Sequence, residues 1–178
     1  MNRSTIDGEI LIDDIDISRI PLSQLRSHIS IILQHPVLFS GTIRSNLDPM
    51  GIYSDEQCWM ALEDVQLKEL VSNHADGLLM PVAESGCNLS MGQCQMICIC
   101  RAILPPSRIL LIDEATANVD YETDRALQLI IAHLARTRTV LTIAHRLSSV
   151  ISHDRILILD RGMIVDFDQT DKVLARFQ

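Results

Sequence analysis

Three stretches of this chain, "ISIIL" (29–33), "ILLID" (109–113) and "TVLTIA" (139–144), are apolar runs without polar and apolar residues in alternation. A strand with one face in water alternates, whereas a strand covered on both faces does not. Such runs, separated by stretches of helical periodicity, confine the chain to an α/β architecture whose parallel strands are joined by helical crossovers. Further strands are predicted at "EILID" (9–13), "RILIL" (155–159) and "MIVDF" (163–167). Helices are predicted at about 55–72, 90–103, 122–135 and 147–152. The stretch "RGMIV" after "RILILD" reads as a tight turn between two antiparallel strands. Residues 41–88, rich in polar residues and helix formers, contain no strong strand and read as a helical arm.

At 178 residues the chain reads as one domain large enough to bury a core. Aromatic residues make up 3%, so Ile, Leu, Val and Met must build that core. A net charge of −8 argues against a nucleic-acid partner, because neutralising phosphates needs basic clusters. No apolar run approaches the roughly 18 residues that span a bilayer, and no charged apolar leader opens the chain, which reads as soluble and intracellular. The five cysteines form no C-x-x-C pair, which points to inert, reduced and mostly buried thiols rather than a zinc or disulfide framework.

The chemistry gathers where strands end. "RILLIDEATANVD" puts Asp113 and Glu114 at the C-terminal lip of a buried strand, where open α/β sheets bind ligands. An aspartate there can hold Mg²⁺, and the adjacent glutamate can orient or deprotonate an attacking water. "TIAHRLSS" puts His145 at the same edge, within reach of a terminal phosphate, and "SIILQHP" adds Gln34, whose amide suits Mg²⁺ or the attacking water. Each of these residues also has an ordinary structural reading as a polar strand end or loop residue. "NLSMGQCQ", leading into "MICICRAIL", offers the Ser90 hydroxyl, the Gly92 amide and a helix N-terminus, a natural cradle for phosphate oxygens. The competing reading is that Ser90 simply caps its own helix.

Taken together, in this order and spacing, these motifs resemble the nucleotide-binding domain of ATP-binding cassette (ABC) transporters. "LSMGQ" is similar to the family's signature motif, "ILLIDE" to its Walker B, "ANVD" to its D-loop and "IAHR" to its H-loop. "ILQHPVLFSGTIRSNLDP" resembles the Q-loop segment of the C subfamily, the multidrug-resistance proteins and sulfonylurea receptors, in its second nucleotide-binding domain. The resemblance implies a P-loop NTPase-like ATPase domain, with a mostly parallel sheet flanked by helices and a helical subdomain over about 41–105. Residues 8–40 and 106–178 would form the rest of the ATPase core. It implies ATP and Mg²⁺ as cofactors, with Asp113 and Gln34 at the metal and Glu114 and His145 catalytic. Gln34, Ser90, Gly92, Gln93 and Asp120 would contact nucleotide. The implied partners are a second cassette domain, docked head to tail across ATP, and the transmembrane domains of a transporter that places the domain at the cytoplasmic face of a membrane.

Two departures bear on activity. The Walker A loop, G-x-x-x-x-G-K-[ST], is absent from these 178 residues, whose only lysines are Lys68 and Lys172. The segment "DGEILIDD" corresponds to the family stretch that follows that loop, so the chain reads as an N-terminally truncated domain. Where the family usually has "GQRQ" or "GQKQ", this chain has "GQCQ", and Cys94 in place of a basic residue is expected to remove a charge beside the cradle. The expectation is an ATPase domain that is inactive by itself. A non-catalytic module lending its signature motif to a partner, and an inert gene fragment, stay open as alternatives. A sheet without its upstream strand is also expected to leave an apolar flank and an edge exposed.

Overall fold

In the computed structural model, residues 8–114, 119–144 and 150–176 are described. The chain opens with a small hairpin, β1 (Leu11–Ile12) and β2 (Ile15–Asp16), followed by α1 (Leu22–His28) and β3 (Ile29–Ile32). Next come β4 (Gly41–Thr42), α2 (Ile43–Leu47), α3 (Asp55–Asp64), α4 (Lys68–Ser72), β5 (Pro81–Val82) and the long α5 (Met91–Ile103). The second half contains β6 (Ile109–Asp113), α6 (Tyr121–Leu134), β7 (Thr139–Ile143), β8 (Arg155–Asp160), β9 (Met163–Gln169) and α7 (Thr170–Arg176).

The three unalternating runs form one parallel sheet in the order β3-β6-β7, with Ile29 opposite Ile109 and Leu111 opposite Leu141. Its covered face contributes Ile32, Leu110 and Ile112 to one apolar cluster with Ile97 and Ile99 of α5 and Leu127 and Ile131 of α6. Burial on both faces, the expectation from the lack of alternation, does not hold. Ile31, Leu141 and Ile143 are 56%, 55% and 61% exposed, because among the described residues no element packs on that side. An apolar flank is exposed, as anticipated, and β7 pairs along one edge only among the described strands.

The last two strands do not extend the parallel sheet. They form a separate antiparallel hairpin, closed at Arg161 (φ 47°) and Gly162 (φ 77°), the two left-handed residues of the turn read from "RG". The same device, unanticipated, closes β1 on β2 at Asp13 (φ 49°) and Asp14 (φ 63°), so "EILID" is a two-residue strand entering a turn rather than a full strand. Of the helix predicted at 147–152, residues 147–149 lie outside the described residues, and Val150–Ser152 form a turn.

The arm between β3 and α5 is helical, and its two-residue strands β4 and β5 pair antiparallel, clipping its beginning to its end. The single helix expected over 55–72 breaks in two. Gln66 adopts a left-handed conformation (φ 62°), and the Leu67 amide reaches back to the Leu62 carbonyl at 2.8 Å. That turn buries Val65 and Leu67 together, which a continuous helix would place on different faces. Arg138 closes the far end of α5, donating to the carbonyls of Ala102, Ile103 and Pro105 and to the Ser107 hydroxyl. Cys58, Cys94 and Cys100 are buried, Cys98 is half-buried and Cys87 exposed, all as free thiols, and burial raises the pKa of Cys58, Cys94, Cys98 and Cys100. No helix among the described residues is long and apolar enough to cross a membrane.

Candidate functional site

Of the eight residues singled out from sequence, seven are described, and they fall into two groups. His145 lies outside the described residues. The first group sits at the C-terminal edge of the sheet. β6 ends at Asp113, which is exposed, and the chain turns through Glu114 with a left-handed backbone (φ 43°). For a non-glycine residue that conformation is uphill by about 1–2 kcal/mol and persists only when the surroundings fix it. Here the Glu114 amide donates to the Ile143 carbonyl at 3.0 Å, which ties the turn to the end of β7. The carboxylate is held separately, by the Gln34 amide, whose Nε2 donates to Oε2 at 2.7 Å.

Gln34 is itself placed by α5. The side chain of Gln95, almost wholly buried, donates from Nε2 to the Leu33 carbonyl at 3.2 Å, immediately before Gln34. Arg101, one turn and a half further along, holds the continuing loop. It donates to the Asn46 and Val37 carbonyls at 2.8 and 3.0 Å, and its guanidinium lies over the Phe39 ring. Neither Gln95 nor Arg101 was singled out from sequence. A buried glutamine inside an apolar helix face is the one signal that pointed to the first.

The second group is built at two helix N-termini. At α5, the Ser90 hydroxyl accepts from the Gln93 amide at 3.1 Å while the Gln93 side chain accepts from the Ser90 amide at 2.9 Å. This is a reciprocal capping box, so the capping reading of Ser90 is met. It leaves the Ser90 hydroxyl proton available to donate, and Ser90 and Met91 are exposed at the mouth of the helix. The loop before it is fixed by Asn88, which accepts from the Ala83 amide and donates to the Pro81 carbonyl, both at 2.9 Å. Gly86, at φ 72°, lets the loop fold onto α5, since a Cβ there would lie 2.9 Å from both the Cys94 sulfur and the Leu38 side chain.

At α6, Asp120 caps the helix by accepting from the Thr123 amide at 3.0 Å and the Thr123 hydroxyl at 2.7 Å. The hydroxyl and amide of Thr123 together hold the Asp120 carboxyl below its ordinary pKa. The two helix starts touch at Gly92, where an added Cβ would come within 2.8 Å of the Thr123 methyl.

One expectation from the signature stretch is corrected. Cys94 is 6% exposed, and its thiol faces the Gly86 carbonyl at 3.6 Å. Position 94 therefore points into the core, and its side chain does not flank the Ser90 turn.

The donor set suits a hard cation such as Mg²⁺: one strand-end carboxylate and one amide oxygen leave room for water and phosphate oxygens. Among the described residues no group of three or more His, Cys, Asp and Glu gathers to hold a metal by itself.

The pattern of the ABC transporter family matches residues 1–117. The chain belongs to that family. It is 50% identical over 173 residues to the fruit-fly (Drosophila melanogaster) protein described as probable multidrug resistance-associated protein lethal(2)03659, covering 97% of this chain and 13% of that one. Human ATP-binding cassette sub-family C member 3 is 49% identical over 168 residues, covering 94% of this chain and 11% of that protein. Human ATP-binding cassette sub-family C member 8 is 48% identical over 172 residues, covering 97% and 11%. These likenesses place the chain with the C subfamily. The solved structure of a bacterial Atm1-family ABC exporter with ATP bound superposes with a TM-score of 0.88 at 32% identity, covering 97% of this chain and 30% of that one. The fold is therefore that of an ABC ATPase domain, and the chain spans about a tenth of the length of its curated relatives.

Proposed function

We propose that this chain is the part of an ATP-binding and hydrolysing domain that supplies the signature motif and the Walker B edge, in a C-subfamily transporter. The observation that carries the reading is the exposed, pre-capped turn at Ser90. The first amides of a helix have no intrahelical acceptor, and the helix dipole favours an anion at that end. Ser90, Gly92 and Gln93 would receive the phosphates of an ATP held by a second cassette domain. The partner domain, the transmembrane domains and a location at the cytoplasmic face of a membrane belong to this proposal.

At the sheet edge, Asp113 and Gln34 would hold Mg²⁺, which when bound offsets the charge of the phosphates. Glu114 accepts the proton of the attacking water, and its hydrogen bond from Gln34 keeps the carboxylate oriented for that step. Asp120 holds the neighbouring helix start in place, and His145 would meet the terminal phosphate.

The activity of these 178 residues alone is a separate matter. Without the amides and lysine of a Walker A loop, the β- and γ-phosphates lose several charge-assisted hydrogen bonds, at about 1.5–3 kcal/mol each. The chain alone should bind Mg-ATP more weakly than millimolar and show no steady turnover, so in isolation it would act as a non-catalytic face for a partner.

The test is co-elution of the chain with a cassette domain that carries an intact G-x-x-x-x-G-K-[ST] loop, with and without Mg-ATP. Association should require ATP and grow with its concentration, because ATP bridges the two. Ser90→Arg, which fills the phosphate position, should abolish it, while Glu114→Gln leaves it in place. Equal co-elution of wild type and Ser90→Arg would reduce the signature turn to a helix cap.

A further inference from the structure

The reason for glycine at position 92 is space. Gly92 is buried in the first turn of α5 and has no left-handed backbone angle, yet a Cβ there would lie 2.8 Å from Thr123 Cγ2 and 2.9 Å from Thr123 Oγ1. The backbone of the Ser90 turn thus rests directly on the side chain of Thr123. That side chain has little freedom of its own. Its hydroxyl donates to one oxygen of Asp120 at 2.7 Å, and its amide donates to the other at 3.0 Å, so one carboxylate fixes both ends of the residue.

We propose that Thr123 is a positioning residue for the nucleotide-facing turn: it sets where the Gly92 backbone sits and joins that turn to Asp120. The inference deepens the function proposed above and rests on it for its consequence, but not for its geometry. Phosphate bound at the Ser90 hydroxyl and the first turn of α5 presses on a surface whose position depends on the Thr123 rotamer, and the Asp120 carboxylate selects that rotamer. Occupation at the start of α5 is thereby felt at the start of α6, 30 residues later in the chain than Ser90. Sequence reading assigns no role to Thr123, because nothing local in "DYETD" shows which glycine it touches.

Two substitutions separate its parts. Thr123→Val keeps the branched shape and removes the hydroxyl, whereas Thr123→Ser keeps the hydroxyl and removes the methyl. With the loss of one hydrogen bond, Thr123→Val should raise the Mg-ATP concentration for half-maximal association with the cassette partner about fivefold, and Thr123→Ser about twofold or less. The Asp120 carboxyl, followed by ¹³C NMR, should titrate at higher pH in Thr123→Val and stay near wild type in Thr123→Ser, a change that a simple loss of packing does not produce. Unchanged half-saturation in Thr123→Val, with wild type associating normally, would overturn the inference.

Failure of the wild-type chain to associate would instead overturn the proposed function. The contact is then decided on the full 178-residue chain by urea unfolding. Gly92→Ala should lower the midpoint, and Thr123→Ala, which clears the space, should recover most of that loss in the double variant. Additive losses would show that Thr123 does not set the Gly92 backbone and would end the proposal.

Discussion

The turn that begins α5 and the acid pair that ends β6 are held in opposite ways. Ser90 and Gln93 satisfy each other within a single helical turn. Glu114 depends on Gln34, 80 positions earlier in the chain, and on the carbonyl of Ile143 at the end of a different strand. The first arrangement survives as long as α5 does. The second exists only while β3, β6 and β7 stay in register, and among the described residues that sheet is covered on one face only. The difference separates what is robust in this chain from what is conditional, and it can be attacked from both sides.

The largest expected effect comes from the covered face. Leu110 is fully buried on β6 and leads directly to Asp113, so Leu110→Ala should cost about 2–5 kcal/mol through lost transfer energy and a residual cavity. Leu141, across on β7 and 55% exposed, should cost far less in Leu141→Ser, within about 0.5 kcal/mol, and should lower the binding of a hydrophobic dye. Urea unfolding with dye fluorescence measures both. Similar costs for the two substitutions would mean that the second face is covered in solution, and the contrast between conditional sheet and robust helix would fall.

A middle-sized effect isolates the long-range contact. Gln34→Leu removes the donor to the Glu114 carboxylate, a partly buried hydrogen bond to a charged group, and should cost about 1 kcal/mol. Hydrogen exchange should quicken at the Glu114 amide while the amides of α5 stay as protected as in wild type. Equal loosening of both regions would break the distinction.

How much of this was legible in the sequence follows the same line. The cap was visible as Ser90 ahead of a helical run, and the hairpin turn as Arg161-Gly162, because both are set by neighbours. The unalternating runs gave the parallel sheet and its carboxyl edge. They could not say that one face stays open among the described residues, since apolar composition records what a strand is suited to and not what lies against it. The break at Gln66 escaped the helical pattern because the burial of Val65 and Leu67 rewards a turn that propensity does not anticipate. Cys94 was read as a lost charge beside the cradle, whereas its position in the helix turns it toward Gly86. The approach of Gln34 to Glu114, and of Thr123 to Gly92, are properties of the folded chain that no short stretch encodes.

The smallest effect tests the link between the two helix starts. Thr123 holds the Asp120 carboxyl below its ordinary pKa, first through its hydroxyl and then through its amide. A carboxyl depressed in the folded state adds stability above its unfolded pKa, and that stability is lost as pH falls through the folded value. Asp120→Asn keeps a capping side chain but cannot titrate, so the difference in urea midpoint between wild type and Asp120→Asn isolates the charge. That difference should be level between about pH 5 and 7 and shrink below about pH 4, where the unfolded carboxyl begins to hold its proton. In a Thr123→Val background the same difference should be smaller at neutral pH, because the hydroxyl that favours the ionised form is gone. A difference that does not change between about pH 6 and 3 would mean that the Asp120 charge is not coupled to folding. The capping of α6 would then be a matter of shape alone, and the two helix starts would be joined by packing without electrostatics.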